Sequence, residues 1–534
     1  MHGMIVAPQP EAVEAGALAL KRGGNAVDAA IACAFMQGVV DPQMAGIAGF
    51  GAMQIWMPRR GVHLDLDFHA RCPAAVRADM WEHLIEGEAR DGFGFLLKGK
   101  INDVGYLSVA VPGSLRAYEE ALAEFGTMEW RDVIAPAAVL AREGFLIRPH
   151  MYTMWTQKES RYGRVDIVDK LRFTESGRRI YFHPDGTLKS MGDRLVNEEM
   201  ARSLERIAKG GADLFYKGEM AEEIAADMRA NGGLITRADL ASYRTTRGAP
   251  ISGSYRGCRV AAPPPPAGGV QLIEMLHVLE NFDLRKLGHN SPGLIRVMAE
   301  AMKYATIDKD LHVGDPGFVA VPLDRLLSKN YARELAGKIE AGEMAHVERL
   351  GQKEKHGTTQ ISAIDGDGNV VSMTHSLGNP SGVITEGLGF MYNGCMGVFD
   401  PRPGRAGSLA PGKARFTAMS PAIVFKDDRP FIVIGAPGGT YISGSVMQGI
   451  VNVVDFEMSM LEAVVAPRIS VTSDIIDVSN RIPRFVTSEV EAMGYRVARS
   501  YQSYAFAGLH GIKVQDGTWS GGADPQRDGM ALEV

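Results

Sequence analysis

The sequence predicts a large body of mixed helix and strand, and three observations carry that expectation. Helical patterns dominate from about 106 to 345, an alternating hairpin occupies 356–378, and a buried strand turns through glycine into a helical pattern at 437–439. With 534 residues, 46% of them apolar, the chain can bury an extensive core. Acidic residues outnumber basic ones 63 to 57, giving a formal charge of -6 without a long run of either sign. That balance predicts neither a nucleic-acid partner nor a polybasic membrane surface.

Taken in order, "PEAVEAGALALKRGGN" spaces Val13, Ala17 and Leu20 along one helix face and stops at Gly23-Gly24-Asn25. "NAVDAAIACAFMQGVVDP" reads as a buried helix ending before Pro42, and "AMQIWM" as a strand. "SLRAYEEALAEFG" and "EMAEEIAADMRANGG" are helices punctuated by glycine, and "AAPPPPAGG" at 261–269 is a stiff turn. The polar "VERLGQKEKHG" (347–357) reads as an exposed lead into the hairpin. Strands "AIVFK" and "PFIVIGAP" flank a "DDR" turn, and helices follow in "GGTYISGSVMQGIVNVV" and "SMLEAVVAP", where Ser459 and Glu462 have capping-box spacing.

The N-terminal residues lack a signal-peptide pattern and no stretch reaches the roughly 18 apolar residues of a membrane span, so a cytoplasmic protein is expected. Cys33, Cys72, Cys258 and Cys395 are isolated and read as reduced core residues. No HExxH or Cys/His cluster is present, and "GIAGFG" inverts the order of a dinucleotide fingerprint, so neither metal nor cofactor is expected.

The hairpin "HGTTQISAIDGDGNVVSMTHS" has a register that its loop fixes. With "DGDGN" (365–369) as the turn, Ile364 faces Val370, Gln360 faces Thr374, Thr359 faces His375, and Thr358 faces Ser376. Cross-strand Cβ atoms then lie about 4.5 to 5.5 Å apart. Alternation puts Thr358, Gln360, Ser362, Ser372, Thr374 and Ser376 on one face and Ile361, Ala363, Val371 and Met373 on the other. The polar face is either a solvated strand surface or a reactive one.

Chemistry favours the second reading once "GAPGGTYI" is considered. Gly438 and Gly439 turn a strand into a helical pattern, where backbone N–H groups can hold a developing oxyanion. A hydroxyl nucleophile also needs a base, and His356 and His375 are lone residues. Threonine has its own route: cleavage of the Gly357-Thr358 bond would give Thr358 an α-amine of pKa about 7.7 to 8.0 beside its Oγ. Attack of Thr358 Oγ on the Gly357 carbonyl, an N-to-O acyl shift and hydrolysis of the ester would make that cut, and glycine permits the close approach.

Together with "GGNAVDAAIA", "VAVPGSLRAYEEALAEFGTMEW", "LFYKGEMAEEIAADMRANGGLITRADLASYR", "PPPPAGG", "GDPGFVAVP" and "MSPAIV", these motifs resemble the γ-glutamyltranspeptidases, a family of N-terminal-nucleophile hydrolases, over almost the entire chain. The resemblance implies an α+β fold, a four-layer αββα sandwich, made as a precursor that cuts itself into residues 1–357 and 358–534, which stay together as one body. It places the nucleophile on Thr358, the second hydroxyl on Ser376 where the family usually has threonine, and the oxyanion hole on Gly438 and Gly439.

Departures from the family pattern fall on substrate recognition. The arginine that grips the γ-glutamyl α-carboxylate aligns with His69, with Arg71 two residues on, and the asparagine two positions after the second hydroxyl is Gly378. The glutamine and aspartate that hold the α-amino group fall on Cys395 and Val398, and the paired serines are Thr417-Ala418. An ammonium removed from water needs an accepting partner, and Val398 supplies none. The expectation is an amidohydrolase acting through an acyl-threonine on a small acid amide, in a branch like oxamate amidohydrolase, with water or an amine as acceptor. The alternatives are a true γ-glutamyl transpeptidase or glutathione hydrolase, and a non-catalytic descendant that binds a metabolite.

Overall fold

A computed structural model describes residues 2–89, 92–349 and 358–534. The first helix, Pro10–Lys21, ends before Gly23-Gly24 as its sequence predicts, and Asn25 caps the second, Ala26–Val40. The Asn25 side chain accepts the N–H groups of Val27 and Asp28 while the Asp28 carboxylate accepts that of Asn25. This reciprocal cap satisfies helix-end donors that burial would otherwise orphan. Every residue of Ala26–Val40 is buried, which explains its apolar circumference.

Two large antiparallel sheets form the centre. The first runs Met530–Glu533, Gly3–Ala7, Thr359–Asp365, Val370–Ser376, Phe50–Met57, Val62–Phe68, Thr246–Gly248. The second runs Thr518–Ala523, His510–Gln515, Arg429–Gly435, Ala422–Lys426, Cys258–Ala262, Ile251–Tyr255. Each sheet takes strands from both sides of position 358. The "DDR" turn is centred on Asp427-Asp428, both at positive φ (50° and 56°), as a tight hairpin between right-twisted strands requires.

The hairpin register is the expected one: Ile364 pairs with Val370, Gln360 with Thr374, and Thr359 with His375. Its polar face is not solvated, however; both strands are buried throughout. Ile361, Ala363, Val371 and Met373 join the helical core containing Ala29, Ile31 and Phe35. The hydroxyl face meets the second sheet, where Ser362 Oγ donates to the His510 carbonyl and Ser372 Oγ to the Ile434 carbonyl, both at 3.3 Å. Hydrogen bonding between the sheets replaces the water that polar side chains would otherwise need.

The proline tract is a buttress. Thr417 N–H donates to the Pro266 carbonyl at 2.9 Å and Gly268 N–H to the Met419 carbonyl at 2.8 Å, after which the chain enters helix Gly269–Leu279. It thereby fixes the segment 417–419. Ser459 and Glu462 form the predicted capping box. Among the described residues no helix is long and apolar enough to cross a membrane. The outcome is a mixed helix-and-sheet fold.

Candidate active site

Thr358 stands immediately before strand Thr359–Asp365 and is 3% exposed, and Ser376 ends the partner strand with no exposed surface. Antiparallel pairing brings the two together. Ser376 Oγ donates to Thr358 Oγ1 at 3.3 Å and accepts the N–H of Gly378 at 2.8 Å. The second bond supplies a donor to the Ser376 oxygen, which leaves its own proton for Thr358. Gly357 and His356 lie outside the described residues.

Strand Arg429–Gly435 lies on this same hydroxyl face, with Gly435 against the Gln360 side chain, and leads into the glycine turn. Gly438 has φ 147°, and a Cβ there would sit 2.5 Å from the Cα of Ala507. Both the backbone angle and the space therefore demand glycine. Gly439 has φ 60°, and the helix Ile442–Val454 follows within three residues. Among the described residues neither glycine N–H donates a backbone hydrogen bond.

His375, between Thr374 and Ser376, points to the opposite face of the sheet. Its Nδ1 meets the Tyr118 hydroxyl and its Nε2 the Gln37 side-chain oxygen, each at 2.7 Å. Burial pushes its pKa down to about 3, so the ring is neutral near pH 7. It is a structural bridge to the helices and cannot reach the hydroxyl pair.

Two of the predicted substrate contacts converge. His69 Nε2 lies 2.9 Å from Thr417 Oγ1, and its Nδ1 is hydrogen-bonded to the Asp67 carboxylate. A carboxylate only accepts, so Nδ1 carries a hydrogen. Burial alone would raise the Asp67 pKa; the His69 ring and Arg71 overcome that and hold it below the ordinary carboxylate range. Arg71 itself is turned elsewhere: Nη1 faces Asp315 at 3.7 Å and the Gly412 carbonyl at 3.3 Å, and Nη2 donates to Thr246 Oγ1 at 2.9 Å. It ties three distant segments together and does not join the His69–Thr417 pair.

Cys395 is fully buried, and Asn393 positions it by accepting its backbone N–H at 3.2 Å. Burial pushes the thiol up to about 11, a shift that Arg415 only partly offsets, so Cys395 is a neutral thiol near pH 7. Arg415 is the residue that sequence reasoning missed. It is 2% exposed, donates from Nε to the Phe416 carbonyl at 3.0 Å and from Nη1 to Cys395 Sγ at 3.7 Å, and lies over the rings of Phe50 (4.8 Å) and Phe93 (5.3 Å). A Cβ on Gly378 would be 3.0 Å from Arg415 Nη1 and 3.5 Å from Cys395 Sγ. The guanidinium therefore occupies the space that a side chain at 378 would need. The only signal in the sequence is a lone charge in the otherwise uncharged "RFTAMSP".

The family model described as Gamma-glutamyltranspeptidase matches residues 12–534. The chain belongs to the gamma-glutamyltranspeptidase family. Its relatives include the acylase ACY 1 proenzyme of Pseudomonas sp. (strain SE83), 38% identical with 100% of this chain and 94% of that protein aligned. The glutathione hydrolase proenzyme of Escherichia coli (strain K12) is 34% identical, covering 98% of this chain and 90% of the relative. Among solved structures, the cephalosporin acylase from Bacillus halodurans superposes with a TM-score of 0.88 at 29% identity, over 99% of this chain and 95% of that one. The gamma-glutamyltranspeptidase family thus includes relatives named for acylase and for glutathione hydrolase activity, and this chain is similar to both over nearly its full length.

Proposed function

We propose that this gamma-glutamyltranspeptidase-family chain is a self-cleaving amidohydrolase whose nucleophile is Thr358, acting on a small acid amide. The observation that carries the reading is the 3.3 Å contact between Ser376 Oγ and Thr358 Oγ1 at the mouth of the hairpin. In the precursor, Thr358 Oγ adds to the Gly357 carbonyl carbon, the C–N bond breaks, and the nitrogen takes the hydroxyl proton to become an α-amine. Water then hydrolyses the ester and leaves a Gly357 carboxylate. Fragments 1–357 and 358–534 stay joined in this reading because both contribute strands to each large sheet, in a body we infer to be a four-layer αββα sandwich.

In turnover the α-amine takes the Oγ proton as oxygen attacks the amide carbon, and passes it to the departing nitrogen. Ser376 donates to the nucleophile oxygen before attack, and the Gly438 and Gly439 N–H groups receive the oxyanion. Water, or an amine, then accepts the acyl group from Thr358. A γ-glutamyl donor is disfavoured because its ammonium would meet Val398 and a neutral Cys395 thiol.

Glutathione hydrolysis is the second reading, favoured by the 34% identical Escherichia coli relative. Release of ammonia from oxamate and succinamate, set beside release of p-nitroaniline from γ-glutamyl-p-nitroanilide, separates the two. Faster turnover of the acid amides supports the proposal; comparable or faster turnover of the γ-glutamyl compound replaces it with the second reading.

A further inference from the structure

Among the described residues, four arginines are buried at or below 4% exposure: Arg164, Arg415, Arg468 and Arg527. Arg164 lies 3.5 Å from Asp103 and Arg468 2.7 Å from Asp524. Arg527 sits in the field of Asp41 and Asp524. Among the described residues Arg415 forms no ion pair, and its one acidic neighbour is the Cys395 thiol, which burial keeps neutral near pH 7. Taking a guanidinium out of water without an anion is costly. Two phenylalanine faces and one carbonyl offset part of that cost.

The donors are also underused. A guanidinium carries five N–H groups, and Arg415 directs one from Nε and one from Nη1 to described partners. Its position links it to the nucleophile: Nη1 borders the vacant Cβ site of Gly378, the Gly378 N–H binds Ser376 Oγ, and Ser376 Oγ binds Thr358 Oγ1. Phe50, under the guanidinium, is the cross-strand partner of Ser376 and also packs near His69 at a ring separation of 6.1 Å. The two other residues considered are already partnered: His69 is hydrogen-bonded to Asp67 and Thr417, and Arg71 is hydrogen-bonded to Thr246 and Gly412 and faces the Asp315 carboxylate at 3.7 Å.

Resting on the hydrolase reading above, we propose that Arg415 is the carboxylate anchor of the acyl pocket, and that the substrates are monoamides of short dicarboxylic acids. The free carboxylate completes the buried guanidinium through paired charge-assisted hydrogen bonds, and the amide carbonyl at the other end of the acid is delivered to Thr358. The rings of Phe50 and Phe93 give the guanidinium apolar walls, which strengthen its pairing with an anion. Chain length between the two carbonyls sets which acid fits.

The test uses self-processed wild type, Arg415→Lys and Arg415→Gln with the p-nitroanilides of oxalic, succinic and glutaric acids, each as free acid and as methyl ester. Wild type is expected to prefer the acid over its ester for at least one chain length. In Arg415→Gln that acid-to-ester ratio of kcat/KM falls by roughly 30- to 100-fold, with Arg415→Lys between the two. An unchanged ratio in Arg415→Gln, or a wild type indifferent to esterification, overturns the proposal. Should Arg415→Gln remain uncleaved, the wild-type ratio and Arg415→Lys decide by the same criteria. If wild type hydrolyses none of the compounds, the hydrolase reading fails by itself. Arg415 is then judged by thermal shift: stabilisation by oxalate, succinate or glutarate that Arg415→Gln lacks upholds the anchor, and equal or absent shifts reject it.

Discussion

The hydroxyl-and-glycine half of the site and the half that surrounds it with side chains follow different rules. Thr358, Ser376, Gly438 and Gly439 are placed by backbone: a hairpin register, a strand end, and a turn whose angle and space admit only glycine. His69, Arg71, Cys395, Thr417 and Arg415 are placed by long-range side-chain pairing, and there an Asp67 contact or an Asp315 contact decides whether a cation is available. The comparison teaches that chemistry and recognition can separate within one family. On the proposed reading the first half serves acyl transfer through Thr358 and the second selects the acid.

The largest break in this comparison is Thr358→Ala. It removes the proposed nucleophile and self-cleaving hydroxyl together, so p-nitroaniline release is expected at background in a continuous assay. Gly438→Ala comes next. A methyl group 2.5 Å from Ala507 Cα, at φ 147°, must displace the turn, and loss of the proposed oxyanion donor is expected to cost roughly 100- to 1,000-fold in kcat. Retention of wild-type kcat would remove Gly438 from the catalytic half.

Ser376→Ala is expected to slow both cleavage and turnover by roughly 10- to 100-fold, the worth of a hydrogen bond to a reacting oxygen. Ser376→Thr keeps the oxygen and should recover most of that loss; equal defects in both would mean that Ser376 serves packing alone. The smallest catalytic effect belongs to His375→Leu. It leaves the Tyr118 hydroxyl and the Gln37 oxygen without their buried partner, at a cost of about 1 to 3 kcal/mol each, while the inflections of the pH–kcat profile stay in place.

The same substitution has a pH signature. With a folded pKa of about 3 against roughly 6.5 unfolded, His375 is protonated first in the unfolded chain. Its contribution is therefore intact above pH ~6.5 and is lost as pH falls through the window towards 3. Melting temperatures at pH 5 and pH 7 should differ less in His375→Leu than in wild type.

The backbone-placed half was legible in the sequence because local rules suffice for it. Alternation and a five-residue loop set the pairing of Thr358 with Ser376, Ser459 and Glu462 had capping-box spacing, and Pro437-Gly438-Gly439 marked a strand-to-helix turn. The burial of the hydroxyl face was not legible, because it depends on Arg429–Gly435 and His510–Gln515 arriving from distant sequence. The sequence left Arg71 open between a substrate contact and a structural ion pair for the same reason: Asp315, which faces it, is 244 positions away. Arg415 carries no local signal of burial, because the absent side chain of Gly378 and the rings of Phe50 and Phe93 that surround it come from distant sequence.

The most direct test of the central claim is the intact mass of purified wild-type protein, with N-terminal sequencing of any smaller fragment, beside Thr358→Ala. Two fragments of about two thirds and one third of the 57.7 kDa chain, the smaller beginning at Thr358, with the variant uncut, are the predicted result. A wild-type chain that stays whole after incubation near neutral pH would contradict the account, and the site would then stand as a binding pocket built from a disused nucleophile.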